Sequence, residues 1–200
     1  MSDPVSAFMA AANQPDIICD TDDTIAFEAE ELCSVLNAHF GLSLELATLT
    51  DYHPLQLPKG QGMNKFLKQW RQNPLCYINH APDYEAIGGV TALHDAGFDI
   101  TLASDRPVEM MTITTNWYQQ WGVPYDAVFV NGDGSKAALT AMHNPANPCI
   151  LIDDDPRNAS LARPGVQVWL PFRPWTPPNL AGPYTWVFHS WADVLARLGL

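Results

Sequence analysis

Short apolar runs separated by helical segments are the feature of this sequence that most restricts its fold. Five runs, over residues 16–19, 98–103, 127–130, 149–152 and 166–170, have the length and composition of buried strands. Segments with apolar residues at helical spacing lie between most of these runs, and this alternation is typical of βαβ units. The pattern therefore predicts an α/β fold, with a Rossmann-like parallel sheet flanked by helices.

Apolar residues at helical spacing predict six helices, over 25–39, 63–72, 84–96, 108–121, 135–142 and 191–198. Gly41, Gly97 and Gly122 follow three of them and are predicted to end those helices. Prolines and glycines interrupt the pattern between Gly41 and residue 83. We therefore expect residues 26–83 to form a small, mainly helical cap inserted after the first strand, on a core of 1–25 and 84–200. The Ala-rich stretch 1–15 predicts a short helix or a loose arm.

The charge balance restricts the partners of the chain. Ten Lys and Arg residues against 22 Asp and Glu residues give a net charge of −12, which repels nucleic-acid phosphates and anionic lipid head groups. No apolar run approaches the roughly 20 residues needed to span a bilayer, and the first ten residues lack the basic region of a secretion signal. The four cysteines include no Cys-x-x-Cys pair. We expect a cytoplasmic protein without membrane or broad nucleic-acid partners; its oligomeric state stays open.

Polar side chains cluster directly after three of the predicted strands. The first strand is followed by Asp20 and Asp22, the second by Ser104, Asp105 and Arg106, and the fourth by Asp153 and Asp154, while Lys136 opens the helix before the fourth strand. Ligands of open parallel sheets bind beyond the carboxyl ends of the strands. We therefore expect these side chains to meet at one edge of the sheet.

Carboxylates at this edge predict a metal site. Asp20 and Asp22, two residues apart, can face the same side of an extended segment, and Asp153 or Asp154 would add a third carboxylate. Such a cluster is costly unless a cation lies among its members. Ligands that offer only oxygen suit a hard ion, so we predict Mg²⁺.

The same residues could carry out phosphoryl transfer. One carboxylate would attack phosphorus, and a second would protonate the departing oxygen and then activate water. Ser104 and Lys136 would hold the phosphoryl oxygens. Each residue alone has an ordinary structural interpretation: turn and cap formation for the aspartates, helix capping for Ser104, and a solvated side chain for Lys136. Their order along the chain, each placed by an apolar strand, favours the site.

These motifs resemble those of the haloacid dehalogenase (HAD) superfamily of phosphohydrolases. Its first motif, an apolar strand followed by Asp-x-Asp-x-Thr, is similar to residues 17–25 with Asp20, Asp22 and Thr24. Residues 102–104 resemble its second motif, Lys136 its third, and residues 150–154 its fourth. The resemblance covers about residues 16–157 and is specific as a set.

The resemblance implies a role for each matching residue. Asp20 would be the nucleophile that forms an aspartyl-phosphate, and Asp22 the acid and base. Thr24 and Ser104 would support the phosphoryl group, and Lys136 would stabilise it. The implied Mg²⁺ ligands are Asp20, Asp22, Asp153 and Asp154, and either of the last two could touch the ion directly.

Further details resemble the 5′(3′)-deoxyribonucleotidase-like branch of this superfamily, namely residues 103–107, 171–175 and 186–191. They imply a nucleoside monophosphate as substrate. Asp105 would place an acid beside the phosphate loop. Arg106 would contact a leaving-group phosphate or sugar, or pair with Asp105 or another acid as a structural partner. Cap aromatics could stack on a base, although each is more typical of a small core: Tyr52, Phe66, Trp70, Tyr77 and Tyr84.

Three other functions stay open from the sequence. A nucleic-acid 3′-phosphatase would use the same chemistry, but the net charge of −12 argues against it. A phospho-accepting signalling domain of the receiver kind also combines paired aspartates with a lysine, but places them after different strands. The third is a HAD-shaped binding protein that has lost its activity; all the required side chains are present, so no feature of the sequence favours it.

Overall fold

Two sheets contain all the strands of the described residues, which are 14–49, 61–132 and 135–200 of a computed structural model, with side chains omitted for 61–64. In chain order the strands are β1 (Asp16–Asp20), β2 (Ala26–Phe27), β3 (Ala81–Pro82), β4 (Ile100–Ser104), β5 (Ala127–Val130), β6 (Cys149–Ile152), β7 (Val166–Pro171) and β8 (Thr185–Phe188). The main sheet has the order β5-β4-β1-β6-β7-β8, and all its strands are parallel. The predicted α/β fold is confirmed.

Seven α-helices within the described residues connect and cover these strands. They are α1 (Glu28–Phe40), α2 (Gln61–Arg71), α3 (Pro74–Ile78), α4 (Tyr84–Asp95), α5 (Met111–Trp121), α6 (Ser135–Ala141) and α7 (Trp191–Leu198). Short 3₁₀ turns occupy Leu46–Thr48, Val108–Met110 and Pro156–Leu161. Gly41 and Gly122 end α1 and α5 in the left-handed conformation, as their positions predict. Within the described part of the chain, no helix is long and apolar enough to cross a membrane.

The hydrophobic core lies on both faces of the main sheet. Ile17 and Cys19 pack with apolar residues of α4, α5 and α7, among them Trp117 and Trp191. Ile18, on the opposite face, packs with Leu139 of α6 and with residues of β6 and β7. Alternate strand residues point to opposite faces, so burial on both sides explains why the strands read as continuous apolar runs.

Some elements differ from the sequence prediction. The helix predicted over 25–39 begins at Glu28, because Ala26 and Phe27 pair with Ala81 and Pro82 in the antiparallel ribbon β2–β3. The helix predicted over 108–121 begins with a 3₁₀ turn. Strand β8 and helix α3 were not predicted. The helix or arm predicted over 1–15 lies almost wholly outside the described residues.

The region between β1 and α4 contains α1, α2, α3 and the ribbon β2–β3. Leu32, Leu36 and Leu67 form a small apolar cluster there, separate from the two clusters of the main sheet. The ribbon lies where the chain leaves the sheet after β1 and returns to it before α4. The division into a core and a cap over 26–83 stays a prediction, and these elements are consistent with it.

Candidate active site

The candidate site lies at the carboxyl ends of three neighbouring strands in the middle of the main sheet. Asp20 of β1 is in register with Ala103 of β4, and Cys19 is in register with Ile152 of β6. Ser104 and Asp153, the residues that follow those partners, therefore lie at the same edge as Asp20. Strands are added to opposite sides of β1, so this edge is the topological switch point at which such sheets bind ligands.

Three buried carboxylates meet at this edge. One oxygen each of Asp20, Asp153 and Asp154 lies within 4.8 Å of the others. Asp153 accepts hydrogen bonds at both oxygens, from the Asp155 N–H at 2.8 Å and from Asn158 Nδ2 at 2.9 Å. Both oxygens of Asp154 are buried and have no hydrogen-bond partner among the described residues. Asp154 therefore offers two unused acceptors to a cation.

Burial raises the pKa values of all three carboxyl groups, and those of Asp20 and Asp154 rise well above the usual range. For Asp154, the charges of Asp23 and Asp20 add to the effect of burial. A cluster in this state binds a cation favourably, because the cation offsets both the lost hydration and the mutual repulsion. The donor set fits the hard, oxygen-binding Mg²⁺.

Lys136 supplies a buried positive charge to the cluster. Its Nζ lies 2.7 Å from Asp20 Oδ1, 2.9 Å from Asp153 Oδ2 and 3.2 Å from Asp105 Oδ2. Burial lowers the pKa of the Lys136 ammonium, but the charges of the aspartates outweigh it and the pKa is raised. Lys136 is therefore charged beside the predicted nucleophile. Ser135 also donates to Asp105, at 2.8 Å, and so ties the start of α6 to the residue after Ser104.

Asp22 lies apart from the carboxylate cluster, unlike the expectation that it would join Asp20 there. Its carboxylate pairs with Arg106, whose Nε lies 2.9 Å from Oδ2 and whose Nη2 donates to Oδ1. The physical reason is the turn that follows β1: the N–H groups of Ile25 and Ala26 donate to the carbonyl of Thr21, and Asp23 has a φ of 56°. The two-residue alternation of an extended strand ends before Asp22.

Arg106 is 2% exposed, and the described contacts engage most of its donors. Nη1 donates to Thr114 at 3.3 Å, and the guanidinium lies over the Tyr77 ring, 4.6 Å from its centroid. Arg106 pairs with Asp22 rather than with its neighbour Asp105. Burial raises the pKa of Asp22, but Arg106 and His80 outweigh it and hold that pKa well below its usual range.

Thr24 and Ser104, the predicted phosphate-supporting residues, are both fully buried at the site. Thr24 Oγ1 donates to Asp20 Oδ2 at 3.4 Å. Ser104 Oγ accepts from the Arg106 N–H at 3.2 Å. Their contacts join Asp20 to the turn after β1 and Arg106 to the end of β4; their phosphate-binding role stays a prediction.

A cavity of about 420 Å³ opens onto Asp20, Asp22 and Arg106. Most of its lining comes from the strand ends, including Asp20, Asp105 and Lys136. The sequence analysis missed four other lining residues, which are Glu28, Arg71, Gly132 and Arg157. Arg157 stands three residues after Asp154 in the sequence and could have been found with the fourth motif, whereas Glu28 and Arg71 carry no sequence signal.

The predicted stacking aromatics have other partners. Phe66 packs against His39 and Phe40, Tyr84 is 71% exposed and packs against Trp121, and Trp70 packs in the small clusters beside α1 and α3. Among the described aromatics named above, only Tyr77 lines the cavity. Tyr52 lies outside the described residues. The aromatic rings that the structure describes thus give no specific support to base stacking.

His80 is a residue of the site that the sequence analysis did not predict. It is 1% exposed, and its Nδ1 lies 3.3 Å from Asp22 Oδ1. Burial lowers the pKa of the imidazole, but the hydrogen bond and charge of Asp22 outweigh it and the pKa is raised. The six histidines stand at no metal-binding spacing in the sequence, so this contact depends on the folded arrangement alone.

Comparison with protein-family models and with curated proteins finds no match for this chain. Solved structures do match it. A HAD family hydrolase from Deinococcus radiodurans R1, with bound phosphate and sodium, is 16% identical, with 93% of this chain and 96% of that chain covered and a TM-score of 0.63. A candidate phosphoglycolate phosphatase from Lactobacillus delbrueckii subsp. bulgaricus is 14% identical, with 94% of this chain and 99% of that chain covered and a TM-score of 0.68.

A third structure, the D,D-heptose 1,7-bisphosphate phosphatase from B. bronchiseptica complexed with magnesium and phosphate, is 14% identical, with 92% of this chain and 97% of that chain covered and a TM-score of 0.53. At these identities the likeness is one of fold. The chain therefore has the fold of HAD hydrolases and phosphatases. These neighbours give no specific support to the nucleotidase-like branch.

Proposed function

We propose that the protein is a HAD-type phosphomonoester hydrolase that works through an aspartyl-phosphate on Asp20. The observation that carries this proposal is the cluster at the switch point: Asp20, Asp153 and Asp154 are buried within reach of one cation, and Lys136 lies 2.7 Å from Asp20. A purely structural cluster would satisfy its buried oxygens internally, whereas both oxygens of Asp154 are unpaired in the described residues.

The residues that would hold Mg²⁺ are Asp20, Asp153 and Asp154, with Asp154 best suited to touch the ion directly because its oxygens have no other partner. Bound Mg²⁺ would supply positive charge that offsets the repulsion between these carboxylates and a substrate phosphate. The carboxylate of Asp22, the fourth predicted ligand, instead accepts a hydrogen bond from Arg106.

The reaction divides into two displacements at phosphorus. In the first, an Asp20 oxygen bonds to phosphorus, the bond to the leaving oxygen breaks, and Asp22 donates a proton to that oxygen. In the second, Asp22 takes a proton from water, the water oxygen bonds to phosphorus, and the bond to Asp20 breaks. Lys136 balances the charge of Asp20 before and after it carries the phosphoryl group.

Asp22 must be protonated for the first displacement, although Arg106 and His80 lower its pKa. A bound phosphomonoester brings negative charge into the cavity that Asp22 lines. Nearby negative charge raises the pKa of a carboxyl group. Substrate binding therefore favours the protonated form of Asp22, and departure of the leaving group favours the carboxylate that activates water.

The sequence resemblance makes a nucleoside monophosphate the first substrate to test. A panel would compare 5′- and 3′-nucleotides, an oligonucleotide with a 3′-phosphate, sugar phosphates and 4-nitrophenyl phosphate, each with Mg²⁺ and with a chelator. We expect hydrolysis that requires the metal and falls by about 10³-fold or more in Asp20→Asn. Asp99→Asn, at an exposed position before β4, is the matched control. Unchanged hydrolysis by Asp20→Asn would end the proposal.

A further inference from the structure

His80 occupies a fixed position between two carboxylates. It follows α3 and precedes β3, in the segment predicted to form the cap. Its Nδ1 lies 3.3 Å from Asp22 Oδ1, and its Nε2 lies 3.5 Å from Glu31 Oε2 on α1. The indole Nε1 of Trp117 donates to the His80 carbonyl at 2.9 Å. Ring and backbone are therefore both held in one orientation.

Asp22 is held from two directions by these contacts. Arg106, from the loop after β4, contacts both oxygens of the carboxylate. His80 contacts Oδ1 from the opposite part of the chain and also lies 3.3 Å from Arg106 Nη2. Two donors that converge on one oxygen fix the rotation of a carboxylate about its Cβ–Cγ bond. Asp22 also lines the cavity, so the same contacts decide how its carboxylate is presented there.

We propose that His80 is a positioning residue that orients the Asp22 carboxylate for proton transfer. This inference rests on the proposed function, in which Asp22 is the acid and base. His80 acts through Asp22 and lies outside the cavity lining among the described residues. On the other side of the ring, Nε2 faces Glu31 Oε2 at 3.5 Å and Cys76 Sγ at 3.9 Å, so Nδ1 is the nitrogen that faces Asp22.

Two substitutions of His80 distinguish the contribution of the Nδ1 contact from that of the Nε2 contact. His80→Asn places an amide near the position of Nδ1 and can still donate to Asp22. His80→Gln places its amide near the position of Nε2 and can reach only toward Glu31. If the Nδ1 contact orients Asp22, His80→Asn keeps most of the activity and His80→Gln loses it. His94→Asn is the matched control, because His94 lies at the end of α4 with a side chain that is 38% exposed.

The assay compares phenyl phosphate with 4-nitrophenyl phosphate, which has the more acidic leaving group. General acid catalysis matters most for the poorer leaving group, phenol, whose pKa is about 10. We expect His80→Gln to lower kcat on phenyl phosphate by about tenfold or more, and on 4-nitrophenyl phosphate by about threefold or less, with little change in KM. The ratio of the two kcat values does not depend on the folded fraction, so a partly unfolded preparation still gives an answer.

Equal losses on both substrates, or equal effects of His80→Asn and His80→Gln, would overturn the inference. A second measurement leaves His80 unchanged: the Nδ1–H signal of His80 in ¹⁵N-histidine-labelled protein should be protected from exchange and should shift in Asp22→Asn. An unprotected signal, or one that Asp22→Asn leaves in place, would also overturn it. If Asp20→Asn keeps full activity, the proposed function fails; if only the His80 results are negative, the positioning role alone fails.

Discussion

The two aspartates after β6 should respond in opposite directions to the same substitution. In the metal-free protein, Asp153 accepts hydrogen bonds from Asp155 and Asn158 and pairs with Lys136. Asp154 is equally buried, but its oxygens have no hydrogen-bond partner among the described residues. We expect Asp153→Asn to destabilise the metal-free protein and Asp154→Asn to stabilise it.

The magnitude follows from the cost of an unpaired buried group. A buried polar atom that lacks its partner costs about 1–3 kcal/mol, and more when it is charged. Asp154→Asn removes a charge that lies near Asp20 and Asp23, and its amide can donate to those carboxylates. The free energy of unfolding should therefore rise by about 1–3 kcal/mol in Asp154→Asn and fall by about 1–3 kcal/mol in Asp153→Asn. Each 1 kcal/mol corresponds to about 2–4 °C in Tm for a chain of this size.

The assay is thermal or urea unfolding at neutral pH, first with EDTA and then with Mg²⁺. Metal at 100 times its Kd would stabilise the wild-type protein by about 2.7 kcal/mol. Asp154→Asn should lose most of that gain, so that its advantage disappears when Mg²⁺ is present. A lower free energy of unfolding for Asp154→Asn than for the wild type in EDTA would refute the reasoning, as would the same Mg²⁺ response in both.

The pH dependence of the same pair has a defined sign. Burial raises the pKa of Asp154 in the folded state, so the protonated group is favoured there, and its contribution to stability is lost as the pH rises through the folded-state pKa. In EDTA, the advantage of Asp154→Asn over the wild type should therefore grow as the pH is raised above about 4. An advantage that shrinks with rising pH would contradict this sign.

Three further predictions concern packing, charge and capping. A Cβ at Gly89 would overlap the Trp191 indole, whereas a Cβ at Gly88 on the same helix would meet open space. Gly89→Ala should therefore lower the free energy of unfolding by about 1–3 kcal/mol, and Gly88→Ala should raise it by about 1 kcal/mol. Equal urea midpoints for the two variants would count against the packing of α4 on α7. Lys136→Met leaves the three aspartates that contact Lys136 without their buried counter-charge. In EDTA it should lower the free energy of unfolding by about 3–5 kcal/mol, as measured by chemical denaturation. An unchanged denaturation midpoint would contradict this. Ser190 forms a capping box at the start of α7, so Ser190→Ala should cost about 1 kcal/mol, and a Tm equal to that of the wild type would show that the cap contributes nothing.

The strand-end residues could be predicted from the sequence because their placement follows from local pattern and sheet geometry. Parallel strands end at one edge, so the residues after β1, β4 and β6 meet there whatever the details of the loops. Asp20, Asp153 and Lys136 come together for this reason. The strand Thr185–Phe188 was missed because it is an edge strand that is only partly buried over most of its length and follows a segment rich in Pro and Gly.

The residues that the sequence analysis missed depend on long-range packing. Asp22 and Arg106 could both be assigned to the site, but their pairing could not, because the turn at Asp23 redirects the Asp22 side chain. His80 and Arg71 reach the site from the segment between β1 and α4, whose position against the sheet has no periodic signature. Glu28, which also lines the cavity, is the first residue of α1, and this helix begins three residues later than its apolar spacing indicates.

The most direct test of the central claim is to trap the covalent intermediate. Asp22→Asn should slow hydrolysis of the aspartyl-phosphate more than its formation from 4-nitrophenyl phosphate, because that leaving group needs little protonation. After an acid quench and borohydride reduction, the peptide that contains Asp20 should carry homoserine in place of aspartate, together with a burst of about one equivalent of nitrophenol per site. Reduction at another residue, or turnover with no modified residue, would contradict the account.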